Sequence, residues 1–182
     1  MVTKKFEYKN FQWEEIPCLE AGVVIASEDF VSTHKDGVTK KEYFSYGEAL
    51  RHIEYDGLDK FGWRLPTRAE WLRIALAYGE NEDGEIDGEA IRRALNFSQK
   101  GFRMGAINYD HDRTTRYWTS TPMNEGCREQ QYTIKVTNNG VAELMSSRYS
   151  AEADPELEEK IPVRLVRSMT EEEKKDSSLR SE

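Results

Sequence analysis

The sequence predicts an α+β fold, and three local patterns predict it. Two segments open as helices through the same device: Thr67 with Glu70, and Ser45 with Glu48, each a hydroxyl followed three residues later by a carboxylate. In such a capping box the hydroxyl accepts from a first-turn N–H while the carboxylate reaches back to the cap N–H. The third pattern is a hairpin. Tyr132, Ile134 and Val136 alternate with Gln131, Thr133 and Lys135, the period of a half-buried strand. Asn138-Asn139-Gly140 then favours a tight turn with positive φ, and 141–145 returns.

The other elements follow from pattern changes along the chain. Gly22-Val23-Val24-Ile25-Ala26 has the length and composition of a short buried strand, and Asp36-Gly37 marks a turn. The helix begun at Ser45 turns Ala49, Leu50 and Ile53 inward and ends at Asp56-Gly57. The helix begun at Thr67 sets Trp71, Ala75 and Tyr78 on one stripe with Ile74 beside it, and Gly79 suits its C-terminal cap. Pro66 and Trp71 form a hydrophobic staple around its start. Residues 81–88 read as an acidic loop, 95–103 and 117–121 as strands separated by a polar loop, and 161–167 as a closing strand. Residues 1–167 make one domain. From Ser168 to Glu182 the chain is charged and poor in apolar residues, which predicts a disordered or docking tail.

With 182 residues the chain can bury a real core, and four Trp, nine Tyr and seven Phe supply its area although aliphatics are few. A net charge of −8 speaks against binding nucleic acid by phosphate neutralisation and against adhesion to anionic membranes. The cysteines, Cys18 and Cys127, read as reduced, buried or incidental, with a disulfide between them left open. No apolar run follows the basic residues of Met1-Val2-Thr3-Lys4-Lys5-Phe6. This predicts no signal peptide and no membrane insertion, hence a chain that is cytoplasmic at synthesis or carried outside within a larger particle.

Gly62-Trp63-Arg64-Leu65-Pro66-Thr67-Arg68-Ala69-Glu70-Trp71 resembles the central signature of the formylglycine-generating enzyme/C-type lectin-like superfamily, which includes the non-catalytic branch named after the Fibrobacter succinogenes major paralogous domain. Three further segments match in order. Tyr43–Ala49 is similar to the family's aromatic segment opening the first helix. Gly101-Phe102-Arg103 with Tyr117-Trp118-Thr119-Ser120-Thr121 is similar to its G-x-R and Y-W-[ST]-S-T segments, and Val163–Arg167 to its terminal V-R-C-V-R, with Leu165 in the cysteine's place. The resemblance implies a C-type lectin-like fold: two helices packed on a twisted, mostly antiparallel sheet, with long loops on one side. Within it Trp63, Trp71 and Trp118 read as core, and Thr67, Glu70, Ser45 and Glu48 as caps.

The catalytic branch binds copper through two closely spaced cysteines late in the domain, and Cys127 has no such neighbour in sequence. His34, His52 and His111 are far apart, so no histidine cluster like that of the related iron enzymes is visible. Tyr109-Asp110-His111-Asp112 is the most metal-like tetrad but reads as an exposed polar loop. In 81–87 the EF-hand pattern fails, since Gly79 and Ala90 fall at its first and last ligand positions. There is no nucleophile elbow and no Gly-rich phosphate loop. No catalytic residue, metal ligand or cofactor is assigned.

The expected function is therefore that of a non-catalytic binding or structural module whose loops face a partner. Its ligand-binding candidates are Asn108, Tyr109, Asp110, His111, Asp112, Arg113, Arg116, Met123, Asn124, Glu125 and Arg128, with 81–88 as a further loop. By the resemblance the partners are protein assembly components or a surface glycan or receptor, with a bacteriophage head or tail as the carrying particle; a homo-oligomer is compatible. The alternatives are a diverged metal-dependent oxidase-like enzyme of the same superfamily, and an intracellular scaffold docking through 152–159 and the charged tail.

Overall fold

A computed structural model describes residues 4–33, 39–104, 106–110, 113–124, 127–137, 139–145 and 158–178. The expected turn at Asp36-Gly37, and the candidates His111, Asp112 and Glu125, lie outside these residues. The strands are β1 (Lys4–Tyr8), β2 (Phe11–Cys18), β3 (Val23–Ala26), β4 (Ser32–Thr33), β5 (Lys40–Lys41), β6 (Phe102–Met104), β7 (Ile107–Tyr109), β8 (Thr115–Asn124), β9 (Cys127–Thr137), β10 (Gly140–Met145), β11 (Glu159–Lys160) and β12 (Val166–Ser168). The helices are α1 (Tyr46–Asp56), α2 (Arg68–Gly79), α3 (Gly88–Leu95) and α4 (Glu171–Ser178). The fold is α+β, and every strand pairing is antiparallel.

The sheet β1-β2-β3-β12 has a hydrophobic core on each face. Val24 and Ala26 join one core, with Trp13, Phe44, Trp63 and Trp118; Val23 and Ile25 join the other, with Trp71, Ile74, Ile91 and Tyr117. Coverage on both faces is why β3 is a continuous apolar run and not an alternating one. The expected closing strand is shorter than 161–167: only Val166–Ser168 pairs with β3, while Ile161 bridges Phe44. Val163 and Leu165 still give their carbonyls to the Phe30 and Ala26 N–H groups.

Both capping boxes form. The Glu70 N–H donates to Thr67 Oγ1 at 3.1 Å and the Thr67 N–H to Glu70 Oε2 at 2.7 Å. Ser45 and Glu48 repeat the pattern at 3.4 and 3.0 Å. Arg64 grips the same Glu70 carboxylate with both terminal nitrogens, at 2.9 and 2.7 Å. Burial raises the Glu70 pKa, but the bonds from Arg64 and Thr67 outweigh it and the net shift is downward. Trp71, buried behind this start, stacks on Tyr117 at 5.4 Å and donates Nε1–H to the Trp118 carbonyl at 3.3 Å.

Several expectations are corrected. Leu50 is exposed, so α1 buries Ala49 and Ile53 alone of the three. Gly79 is not the α2 cap; Glu80 is, in extended conformation. Size is what Gly79 supplies, since a Cβ there would lie 2.6 Å from Ile91 Cγ1 where α3 packs on α2. Gly88 is tighter still: its Cβ would meet the Thr137 carbonyl at 1.7 Å, so α3 begins in contact with the β9–β10 turn. Residues 95–103 are not one strand, because Leu95 closes α3, capped at its start by Asp87, and only Phe102–Met104 is extended. Gln131 and Thr133 are buried along with Ile134 and Val136, so β9 is covered on both faces.

The region from Ser168 to Ser178 is not a disordered tail. Met169 is buried, and Thr170 with Glu173 makes a third capping box that opens α4. Arg167 ties this helix down by donating to Glu173 at 2.9 and 2.8 Å and to Glu15 on β2 at 3.0 and 2.9 Å. These bonds from Arg167, above all, hold the Glu173 pKa at about 2.

Trp71→Ala is expected to cost about 3–5 kcal/mol in urea unfolding, and Thr67→Ala about 1 kcal/mol through the lost cap; losses near zero would remove those assignments. A folded-state pKa below the ordinary value of 4.5 means Glu173 stabilises α4 docking fully above about pH 4.5, and that this is lost as pH falls toward about 2. Amide-exchange protection of 171–178 should fall through that window in the native chain, whereas in Glu173→Gln it should already be low at neutral pH.

Candidate functional site

Strand β8 organises the candidate residues and separates them. Its first residue, Thr115, pairs with Val136 near the end of β9, and its last, Asn124, with Cys127 at the start of β9. Ten residues at about 3.3 Å each put these ends roughly 30 Å apart. Met123, Asn124 and Arg128 therefore lie at one end of the hairpin, and Asn108, Tyr109, Asp110 and Arg113 approach the other. They do not form one surface.

The end near Thr115 gathers more. Lys135, opposite Arg116 in the ladder, donates to Asp110 Oδ2 at 2.8 Å. Gly88, closing the acidic loop 81–88, rests on the Thr137 and Gly140 carbonyls of the neighbouring turn. That loop is internally ordered: Asn81 Oδ1 accepts from the Asp83 and Glu85 N–H groups at 3.0 and 2.9 Å. Two of the three expected loops thus flank the β9–β10 turn.

Asn108, Tyr109, Asp110 and Arg113 are all exposed, the first two on hairpin β6–β7 and the others in the turn that follows. Asp110 has φ of 54°, the left-handed region, and its carbonyl accepts from the Arg113 and Thr114 N–H groups at 3.2 Å. The hairpin rests on a fixed base. Tyr109 stacks on Phe102 at 5.1 Å, and Arg116 lies over the other ring of that pair, 5.1 Å from the Phe102 centroid.

Arg116 is consequently no loop residue. It sits in β8, buried, ion-paired with Glu159 of β11 and donating Nε–H to Thr133 Oγ1 at 3.0 Å. Burial raises the Glu159 pKa and lowers that of Arg116, each shift partly opposed by the other's charge. Through β11, which pairs with β6, this ion pair anchors the hairpin from below.

The fold also assembles a constellation that sequence spacing hid. Ser32 Oγ lies 2.7 Å from His52 Nδ1 and donates to Asp56 Oδ2 at 2.8 Å. His52 and Asp56, four apart on α1, share a face and could have been paired from sequence; Ser32 on β4 could not. Nucleophilic catalysis needs the imidazole between hydroxyl and carboxylate. Here the hydroxyl is in the middle. With its proton given to Asp56, His52 Nδ1 must itself be a donor and cannot take that proton. Ser32 is fully buried as well, so this trio is a strut between β4 and α1.

Cys18 is buried at the end of β2, and burial above all pushes its thiol pKa up to about 11. It is a core residue whose thiol is protonated at neutral pH. Cys127 opens β9. Among the described residues no group of three or more His, Cys, Asp or Glu is placed to hold a metal ion. Among the same residues no helix is long and apolar enough to cross a membrane. The chain matches no family model, no curated protein and no solved structure, so the motif residues alone carry the resemblance.

Removing one partner of the buried pair is expected to be costly: Arg116→Ala should lose about 3–5 kcal/mol at pH 8. The loss should shrink at pH 5, because the stranded Glu159 can then be buried as the neutral acid. Arg116→Met with Glu159→Leu should recover most of it. A loss independent of pH would show that the ion pair does not anchor the hairpin.

Proposed function

We propose that this chain is a non-catalytic binding or structural module of C-type lectin-like architecture, acting as a virion or surface-recognition component whose partner is a protein assembly or a surface glycan. The observation that carries the reading is the contrast within one region. Ile107, Asn108, Tyr109, Asp110 and Arg113 are exposed, while Phe102, Arg116 and Glu159 beneath them are packed and paired internally. Recognition residues on a fixed base lose little conformational entropy on binding. The acidic loop beside them, with Glu82, Asp83 and Glu85 exposed, adds negative charge at the same end of β9–β10. The residues that carry the family resemblance support a scaffold role, for Trp63, Trp71, Trp118 and Arg164 are all buried.

Gradient fractionation of the source lysate and medium tests this directly. The native chain should sediment with a large particle or a surface fraction, and Arg113→Glu should shift it toward the free fraction without altering its thermal stability. A native chain that runs wholly as a free small protein would overturn the reading.

A further inference from the structure

We propose that the outer edge of β7 pairs with β7 of a second copy of this chain, in antiparallel register centred on Asn108, joining two β11-β6-β7 sheets into one of six strands. The inference starts from the ladder. Met104 pairs with Ile107, Arg103 with Asn108 and Phe102 with Tyr109. Arg103 is also opposite Lys160 of β11. Backbone groups along an antiparallel strand point alternately to its two sides. Met104 and Ile107 are paired across a connection of two residues, an arrangement in which the closing pair exchanges the hydrogen bonds. Met104 and Phe102 therefore turn their N–H and C=O toward β7, and Arg103 turns its own toward β11. Ile107 and Tyr109 are thereby satisfied by β6, and the Asn108 N–H and C=O point to the free edge. Among the described residues nothing pairs with that edge.

The side chains suit a copy of themselves. Ile107 is 59% exposed and Tyr109 40% exposed, and residues two apart share a face of a strand. Hydrogen bonds exchanged between Asn108 and its symmetry mate set Ile107 opposite Tyr109 of the second copy, and Tyr109 opposite its Ile107. Those are the non-hydrogen-bonded positions, where side chains come closest, and an aromatic facing a β-branched residue is a favourable cross-strand pair. A two-fold axis uses both contacts at once. Charge is compatible too: residues 106–109 carry none, so the pairing brings no like charges face to face. The edge strand β1, by contrast, carries Lys4, Lys5 and Glu7, the kind of charges that keep an edge unpaired. A three-residue strand covers well under the roughly 1,000 Å² of a stable interface, so the dimer is weak and concentration-dependent. It covers Ile107 and Tyr109 and leaves Asp110, Arg113 and residues 81–85 of the acidic loop exposed for the partner of the proposed function.

The test uses the purified full chain alone, so its outcome is separate from that of the recognition role. Across the pairing the two Asn108 Cα atoms would be about 5.5 Å apart, within disulfide reach. Asn108→Cys should therefore cross-link as a dimer under mild oxidation, while the native chain and Ile107→Cys should not. Sedimentation velocity of the native chain should show a monomer–dimer equilibrium. Asn108→Pro, which removes the outward N–H without touching the β6–β7 bonds, and Ile107→Lys should each weaken it at least tenfold with unchanged circular dichroism. A native chain that stays monomeric at all concentrations would overturn the proposal, as would a dimer indifferent to both substitutions or cross-linking as efficient from residue 107 as from 108.

Discussion

Arg164 has no exposed side-chain surface, and the two cores meet around it. Its guanidinium donates to the Ala26 carbonyl at the end of β3 at 2.8 Å and to the Asn96 carbonyl beyond α3 at 3.1 Å. It also pairs with Asp29 at 2.9 Å and lies over the rings of Phe97 and Tyr117. Asp29 in turn accepts from the Tyr117 and Ser98 hydroxyls. Burial opposes the charge on Arg164, yet Tyr117 and Asp29 outweigh it and the net shift is upward. A buried charge pair of this kind contributes little against a hydrophobic replacement of equal volume, but each member is costly to remove alone. Its effect is to fix where β3, the α3–β6 connection, β8 and the C-terminal segment sit.

The signature residues divide the same labour. Trp63 joins one core and Trp71 the other, while Arg64, Thr67 and Glu70 between them set the path of the chain from strand bridge into helix. Tyr117 and Trp118 face opposite ways for the same reason, since successive residues of a strand point to opposite sides. The two capping boxes and the pairs of large aromatics that the sequence displays so openly therefore concern framework. The β6–β7 hairpin and the turn after it stand apart from this framework, their base held by the separate ion pair of Arg116 and Glu159.

What was legible in the sequence is what depends on near neighbours. Capping boxes act over three residues, and both were readable; a third at Thr170 and Glu173 carried the same signal but was masked by its highly charged surroundings. Strand β2 was not read from the sequence: Phe11 and Trp13 alternate inward, but the third inward position is the polar Glu15, which breaks the apolar pattern. Helix α3 is only eight residues long and opens on a glycine, which local propensity marks as loop; the contact of Gly88 with the β9–β10 turn is the reason for that glycine. Arg116 looked like a loop residue because its buried partner, Glu159, lies 43 positions away. The separation of the two candidate loops by the length of β8 was likewise invisible until the register with β9 was known.

The Arg164–Asp29 pair should make the two cores one cooperative unit, and residue-resolved native-state hydrogen exchange of Arg164→Met measures whether it does. The amides of Ala26 and Phe30, which bond to the Leu165 and Val163 carbonyls, report the region joined by Arg164; those of Ile74 and Ala75 report the α2 side. In the native chain the two sets should share one opening free energy. In the variant they should separate, with Ala26 and Phe30 opening at lower free energy than α2. Retention of a single, undiminished opening free energy across both sets would contradict it.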